Sequence, residues 1–354
     1  MKTISSNHSR IVRLQKELKG VDACLIEEPL DLFYLTGLKL SAGRLLVHPK
    51  EVLLLVDGRY LQMAKEKSSL KVVQDTPEQL LGFCKRNQVK HLGFDGGHTS
   101  YDRYAHLSNQ QVFKLIPATK CLKTMRVIKE SAEIVLMKKS AQLLWKGFQF
   151  LRKLLKKGVM EKELSKRFEI FCLEHGADRL SFEPIIAFGK NGAMPHYRSQ
   201  NAKLKEGDAV LIDIGVVLDN YHSDMTRMVF YKKEDPDIRR LYDITRRAQM
   251  AALKLCRPGV TFKELDVAAR EVMRQEGVEE LFVHSLGHGI GLETHEYPRI
   301  KFDNEDKDVI LESGMVFTVE PGLYVPGKGG VRYEDTIAIT PKGYTNFYPE
   351  SFDL

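Results

Sequence analysis

The residues best suited to chemistry are concentrated in three stretches. The run VHSLGHGIGLETHEYP, residues 283–298, places His284, His288 and His295 among three glycines and two glutamates. Glycine at that density excludes a helix. Imidazoles flanked by glycine suit metal ligation, an anion-binding turn or a polar loop, and this stretch alone leaves all three open. Two other stretches narrow the choice. AVLIDIGVVLDNYHSDMTRMVF, residues 209–230, sets Asp213 and Asp224 into runs that otherwise read as strands, although Asp is a poor strand former. A two-residue turn at Leu218 and Asp219 places the two carboxylates opposite each other, where like charges destabilise the ladder unless a cation neutralises them. The third stretch, MVFTVEPGLYVPGKGGVRYEDTIAIT, residues 315–340, turns at its glycine-rich centre. A hairpin centred on Gly327 sets Glu320 opposite Glu334, with Arg332 two residues before Glu334 and on the same face. Pro321 and Gly322 loosen the strand just after Glu320.

Four carboxylates and an imidazole, with no thiolate, suit a hard or borderline divalent metal, and so many charges favour two ions over one. Two such ions close together acidify a shared water and polarise a carbonyl, which is hydrolysis chemistry. In this reading the glycines beside His288 let backbone approach the ions, and His284 and His295 are left free for substrate.

The elements that must position these residues follow from periodicity. In the first third of the chain, DACLI, GRLLV, EVLLLVD and HLGFD read as short apolar strands, alternating with helical patterns at GRYLQMAKEK and SYDRYAHLS. Such alternation predicts an α/β domain over residues 1–121. A long helix follows, with Ile134, Met137, Ala141, Leu144, Phe148, Leu151 and Leu155 on one face and Gly158 ending it. It opens a second domain over residues 122–354, with helices at about 161–175, 236–256 and 261–275 and strand-like runs at 209–218, 225–231, 315–325 and 331–340.

Composition limits the classes of function. A length of 354 residues is enough for two cores. The longest apolar runs fall far short of the roughly 20 residues a bilayer-crossing helix needs. The N-terminus reads as a helix without the apolar core of a signal peptide, so the cytoplasm is the expected location. Five scattered cysteines fit reduced core thiols. The formal charge of +7 is spread over 54 basic and 47 acidic residues, so nucleic acid is not an expected partner. Pairs such as Arg239/Arg240 and Arg246/Arg247 read as solvated helix faces.

Taken together, IDIGVVLDNYHSDMTR, HSLGHGIGLETHEYP, VFTVEPGLYVPGKGGVRYEDT and MPHYRS resemble the Xaa-Pro peptidases, the aminopeptidase P and prolidase family of pita-bread metallopeptidases. PLDLFYLTGL and LLVDGRY are similar to that family's N-terminal domain, so the likeness runs nearly the whole length. It implies an α/β N-terminal domain of creatinase/prolidase type followed by an α+β pita-bread catalytic domain. It also implies that Asp213, Asp224, His288, Glu320 and Glu334 bind two divalent ions, with Mn2+ expected and Co2+ or Zn2+ as alternatives. Glu320, His295, His196 and Arg332 would be catalytic, and His284, His196 and Arg332 would hold substrate. The expected substrates are peptides with proline second, and the expected assembly is a homodimer. Creatine hydrolases and non-catalytic binding relatives of this fold tend to lack metal ligands, whereas all five are present here. Methionine aminopeptidases have similar ligands without the N-terminal domain. Within the family the choice is aminopeptidase or dipeptidase. No cation beyond Arg332 stands out in the sequence to grip a free proline carboxylate, so the aminopeptidase is the expectation.

Overall fold

In the computed structural model, which describes residues 2–349, the chain divides into two compact units between Arg126 and Val127. That is five residues beyond the expected boundary, because the helix Thr119–Met125 belongs to the first unit. The first unit is built on a six-stranded sheet: β1 (Ala23–Ile26), β2 (Gly43–Val47), β3 (Val52–Val56), β4 (Lys71–Gln74), β5 (His91–Phe94) and β6 (Lys114–Pro117), in the order β4-β3-β2-β1-β5-β6. Antiparallel pairing joins β1, β2 and β3, and the remaining pairs are parallel. The central strands β1 and β3 are apolar along both faces and buried, as strands covered on both sides must be. Their signal is strong in sequence. The outermost strands, β4 and β6, carry exposed lysines and no apolar alternation, as edges that avoid further pairing do, so the sequence pattern passes over them.

Among its described residues the second unit has thirteen short strands. The first six are β7 (Arg179–Leu180), β8 (Ile185–Phe188), β9 (Ala209–Ile214), β10 (Val216–Leu218), β11 (Tyr221–His222) and β12 (Met225–Phe230). The others are β13 (Gly287–Gly289), β14 (Glu296–Ile300), β15 (Val316–Val319), β16 (Gly322–Val325), β17 (Gly329–Arg332), β18 (Asp335–Thr340) and β19 (Gly343–Asn346). Four long helices cover them: Ser131–Leu154, Glu161–Glu174, Pro236–Leu255 and Phe262–Gln275. Three of them start where neighbouring side chains satisfy the first N–H groups, and at the fourth the N–H groups of Glu161 and Lys162 donate to the carbonyls of Ala202 and Gln200. A capping box joins Thr261 and Glu264, Asp235 caps the helix that Pro236 opens, and Glu130 and Glu133 reciprocate at the first. The long helix leaves helical geometry at Leu155, three residues before Gly158, which instead makes a separate left-handed turn with φ 87°.

Two hairpins carry the acidic residues. The strands β9–β10 and β11–β12 form the first, and its turn is Asp219–Asn220, with φ of 52° and 72°. Positive φ at both central residues is the type I′ geometry that matches strand twist. Asp213 therefore pairs with Thr226, not with Asp224 as the Leu218–Asp219 turn required. Because this slip is an even number of residues, Asp213 and Asp224 still project from one face. In the second hairpin the register is the expected one: Gly322 pairs with Arg332, Val319 pairs with Asp335, and Glu320 and Glu334 face each other in the gap between those ladders. Gly327 has φ 77° at the turn.

Alternation along β9 decides what each residue meets. Val210, Ile212 and Ile214 join the apolar cluster under the helices Ser131–Leu154 and Glu161–Glu174, while Ala209 and Leu211 join the cluster that holds Leu265, Phe317 and Ile337. Asp213 continues the second face, so its carboxylate is carried into the interior between strands and not to the surface. The turn offers a direct check. Asn220→Val should lower the stability of this unit by about 1–2 kcal/mol in urea denaturation, because a β-branched residue resists the left-handed region, whereas Asn220→Gly should not.

Candidate metal centre

His288 lies on β13, the middle of three adjacent strands, and the glycines beside it are dictated by packing. A Cβ at Gly287 would lie 1.9 Å from the Thr318 carbonyl oxygen, and one at Gly289 would lie 2.5 Å from that of Tyr297. The glycines thus admit neighbouring strands, which corrects the expectation that they let backbone approach an ion. The backbone N–H of His288 donates to Thr318 Oγ1 at 3.1 Å, and Nδ1 lies 3.0 Å from the Gly289 carbonyl. A carbonyl only accepts, so the proton is on Nδ1 and Nε2 presents its lone pair to the site. Nε2 is 3.3 Å from Glu320 Oε1 and 3.8 Å from Asp224 Oδ2. Ligand atoms of Asp224, His288 and Glu334 lie within 4.8 Å of one another.

These groups repel protonation and ionisation in opposite senses. Burial, and then the charges of Glu334, Asp213 and Glu320, push the Asp224 carboxyl well above its ordinary range. Burial followed by Glu320 and Asp213 does the same to Glu334, and burial raises Glu320 to about 8. Burial also lowers His288 to about 3, with His295 adding to it, so the imidazole is neutral. Asp213 Oδ1, Asp224 Oδ1 and Glu334 Oε1 are buried without a hydrogen-bond partner. Buried acceptors left open beside a neutral imidazole fit a bound cation, which would fill them and oppose the repulsion. Asp213 enters this group differently from the others, because its Oδ2 is ion-paired to Arg332 and only Oδ1 is open.

All nine candidate residues line one cleft of about 550 Å³. His196 and His295 are exposed within it, and the rings of His295 and His288 lie 4.2 Å apart. His284 is not free as expected. Its Nδ1 donates to the Ser285 carbonyl at 2.8 Å and its Nε2 accepts from the Tyr324 hydroxyl at 2.9 Å. Tyr324 in turn accepts from Arg332 Nη1 at 2.7 Å, and Arg332 Nε donates to Thr226 Oγ1 at 3.1 Å. Arg332 is only 3 % exposed, so its guanidinium is committed to Asp213, Thr226 and Tyr324, and not free for substrate.

Behind the carboxylates is a layer the sequence did not reveal. Thr226 Oγ1 donates to Glu334 Oε2 at 2.7 Å. Arg227 donates to the Glu334 carbonyl at 2.5 Å and to Asp335 Oδ1 at 2.6 Å, and its guanidinium lies 4.2 Å from the Tyr333 ring centre. Gln249 donates to the other Asp335 oxygen at 2.9 Å, while Thr336 and Tyr348 hydroxyls hold the Asp224 carbonyl. Arg227 stands three residues after Asp224 in the sequence, and nothing there names its partners. The helix-face arginines are as expected in part: Arg240 and Arg247 pair with Glu276, but Arg246 lies over the Tyr333 ring at 3.6 Å.

Open carboxylate oxygens and a neutral imidazole at the floor of a cleft are the equipment of a metal-dependent hydrolase. Residues 135–341 match the model of metallopeptidase family M24 and residues 10–128 that of the creatinase/prolidase N-terminal domain, so the chain belongs to the M24 metallopeptidases of Xaa-Pro peptidase type. It is 34 % identical over 340 residues to an Xaa-Pro dipeptidase of Pyrococcus furiosus, covering 94 % of this chain and 96 % of that one. A solved Xaa-Pro dipeptidase from Bacillus anthracis is 31 % identical with a TM-score of 0.92, over 98 % of this chain and 99 % of that one. A solved X-Pro aminopeptidase from Thermotoga maritima is 32 % identical with a TM-score of 0.86, over 95 % and 98 %. Among the described residues no helix is long and apolar enough to cross a membrane.

Metal removal should therefore change how stability depends on pH. The raised Glu320 carboxyl contributes stability that is fully present below its unfolded value and is lost as pH rises through about 8. The lowered His288 acts oppositely, but only as pH falls below its unfolded value of 6.5 towards about 3. From pH 6.5 to 8, above the window of His288 and within that of Glu320, the chelated protein should lose melting temperature as pH rises. Saturating Mn2+ should raise the melting temperature most at the upper end, and a flat profile in the chelated protein would contradict the charge repulsion inferred here.

Proposed function

We propose that this protein hydrolyses the bond preceding proline in Xaa-Pro dipeptides, with two divalent ions, Mn2+ being the expected metal, held by Asp213, Asp224, His288, Glu320 and Glu334. The relatives' names divide between dipeptidase and aminopeptidase, and the observation that carries the choice is Arg299. This arginine lines the cleft on β14, exposed, with its Nε donating to Ser285 Oγ at 3.2 Å. Its charge acts on both Glu320 and His295, and among the described residues no carboxylate pairs with it. A free guanidinium beside the reacting groups suits the α-carboxylate of a substrate that ends at proline. It supplies the cation that the sequence alone did not single out, and it favours the dipeptidase over the aminopeptidase expected from sequence.

When bound, the divalent ions supply Lewis-acid polarisation of the scissile carbonyl and a water of lowered pKa. The chain's own residues do the rest. Glu320, partly buried beside His288 and steadied by Thr318, takes the proton from the attacking water and passes it to the proline nitrogen, which must be protonated to depart. His295, whose basicity burial lowers, is a neutral donor that hydrogen-bonds the oxygen on which charge develops. His196 contacts the substrate from the rim, and the Arg332–Tyr324–His284 chain holds Asp213 and the floor of the cleft in place. Proline demands such a site because its nitrogen carries no N–H for an ordinary peptidase to grip. Free thiols at all five cysteines suit a reducing compartment such as the cytoplasm.

Two measurements test this reading. Purified, Mn2+-loaded enzyme should cleave an Xaa-Pro dipeptide faster than the same dipeptide extended by one residue, and Arg299→Ala should raise KM for the dipeptide at least about tenfold while sparing the extended peptide. Faster cleavage of the extended peptide makes the enzyme an aminopeptidase. His295→Ala should lower kcat by roughly 10²–10³ with metal content unchanged, the loss expected for one oxyanion donor. If metal leaves with activity, His295 is a ligand instead.

A further inference from the structure

The loop that presents His196 is fastened to a carboxylate that has no counter-ion. Glu161, the first residue of the helix Glu161–Glu174, is 0 % exposed. Its Oε1 accepts from the backbone N–H of Phe188 at 2.7 Å and from Asn191 Nδ2 at 2.8 Å. Its Oε2 accepts from the Tyr197 hydroxyl at 2.7 Å and from the backbone N–H of Gln200 at 3.1 Å. Four donors occupy the four lone-pair directions of the group, and among the described residues no cation pairs with it. A charge in that position is tolerated only because every acceptor is filled, with the helix N-terminus contributing.

All four donors belong to the segment 188–200, which enters and leaves the cleft wall around His196. Its other side is fixed by close backbone contact: a Cβ at Gly330 would lie 2.2 Å from the Gly192 carbonyl oxygen, and Arg332 reaches the Pro195 carbonyl at 3.4 Å. Pro195 and Tyr197, the two neighbours of His196, are thus held from opposite sides, Pro195 by the guanidinium and Tyr197 by Glu161. His196 itself stays exposed to the cleft.

We infer that Glu161 is a positioning residue for the reaction, acting through His196 by locking the 188–200 loop. The inference rests on the proposed function for the identity of the substrate and for the part His196 plays in the reaction. Glu161→Gln keeps the shape but replaces one acceptor by a donor, so it sets N–H against N–H or O–H in a buried site. With the loop loosened, kcat/KM for Xaa-Pro substrate should fall about 10–100-fold, the usual cost of losing a buried support for a site residue, with metal content unchanged and the melting temperature of the catalytic unit lowered by several degrees through the buried donor clash. Because the effect passes through His196, adding Glu161→Gln to His196→Ala should cost almost nothing further. Losses that multiply in the double variant overturn the inference, as does full activity of Glu161→Gln. Should Glu161→Gln fail to fold, Tyr197→Phe removes a single donor and enters the same cycle, with the same two outcomes. Hydrogen exchange supplies a readout without turnover: residues 189–200 should exchange faster in either variant while 209–230 stay protected, and unchanged exchange in 189–200 overturns the inference. If the wild-type enzyme cleaves neither dipeptide nor extended peptide, the proposed function fails on its own account and exchange still decides the role of Glu161.

Discussion

Negative charge gathered in an apolar seam governs the second unit. Asp224, Glu320 and Glu334 crowd around His288 between two largely buried hairpins, and the cost of ionising them shows in the direction of their carboxyl shifts. Such a cluster raises the energy of the folded chain unless a cation joins it. The structure is arranged to bear that load. Arg227 and Arg332 are themselves buried, each ion-paired to an acid of the cluster or next to it, and the aromatic ring of Tyr333 accepts the face of Arg227. Gln249 ties Asp335 and the Val319 carbonyl to the covering helix.

Two ways of burying a carboxylate coexist within one domain, and the difference separates support from function. Glu161 has all its acceptor capacity filled by four donors, which leaves it inert and rigid. Asp224 and Glu334 each keep a buried oxygen without a partner although donors abound nearby. An unfilled acceptor in that setting is expensive, and it persists where a ligand is to fill it. The same reasoning separates the two arginines of the cleft. Arg332 is consumed by the protein, whereas Arg299 has one neutral partner for its side chain and a charge left over for something that enters.

Even-numbered register slips are harmless to such a site, and the first hairpin illustrates this. Its turn lies at Asp219–Asn220 because Asn tolerates the left-handed region and Leu218 is better used pairing with Tyr221. The partners of Asp213 change as a result, but its face does not. A slip of one residue would have sent Asp213 to the face of Val210 and Ile212, into an apolar layer with no cation within reach.

Much of this was legible in the residues alone. The central strands of the first unit, the four long helices of the second, the hairpin around Gly327 with Glu320 facing Glu334, and the nine residues that line the cleft could all be named without coordinates. Apolar period, capping residues and glycine turns are written in immediate neighbours along the chain, and they are enough to say which face a carboxylate takes. Family resemblance then joined the stretches into one site. What the tertiary structure decided were the partnerships of buried polar groups. Nothing near His284 announces that Tyr324, forty positions away, takes its free nitrogen, and nothing near Arg332 shows that Asp213 holds it. Arg299 reads as one more exposed cation until its place beside Glu320 and His295 is seen. The edge strands β4 and β6 were equally hidden, since their role is to be polar. Local backbone preference depends on a few adjacent residues, whereas the satisfaction of a buried donor or acceptor depends on which distant side chain the whole fold brings within about 3 Å of it.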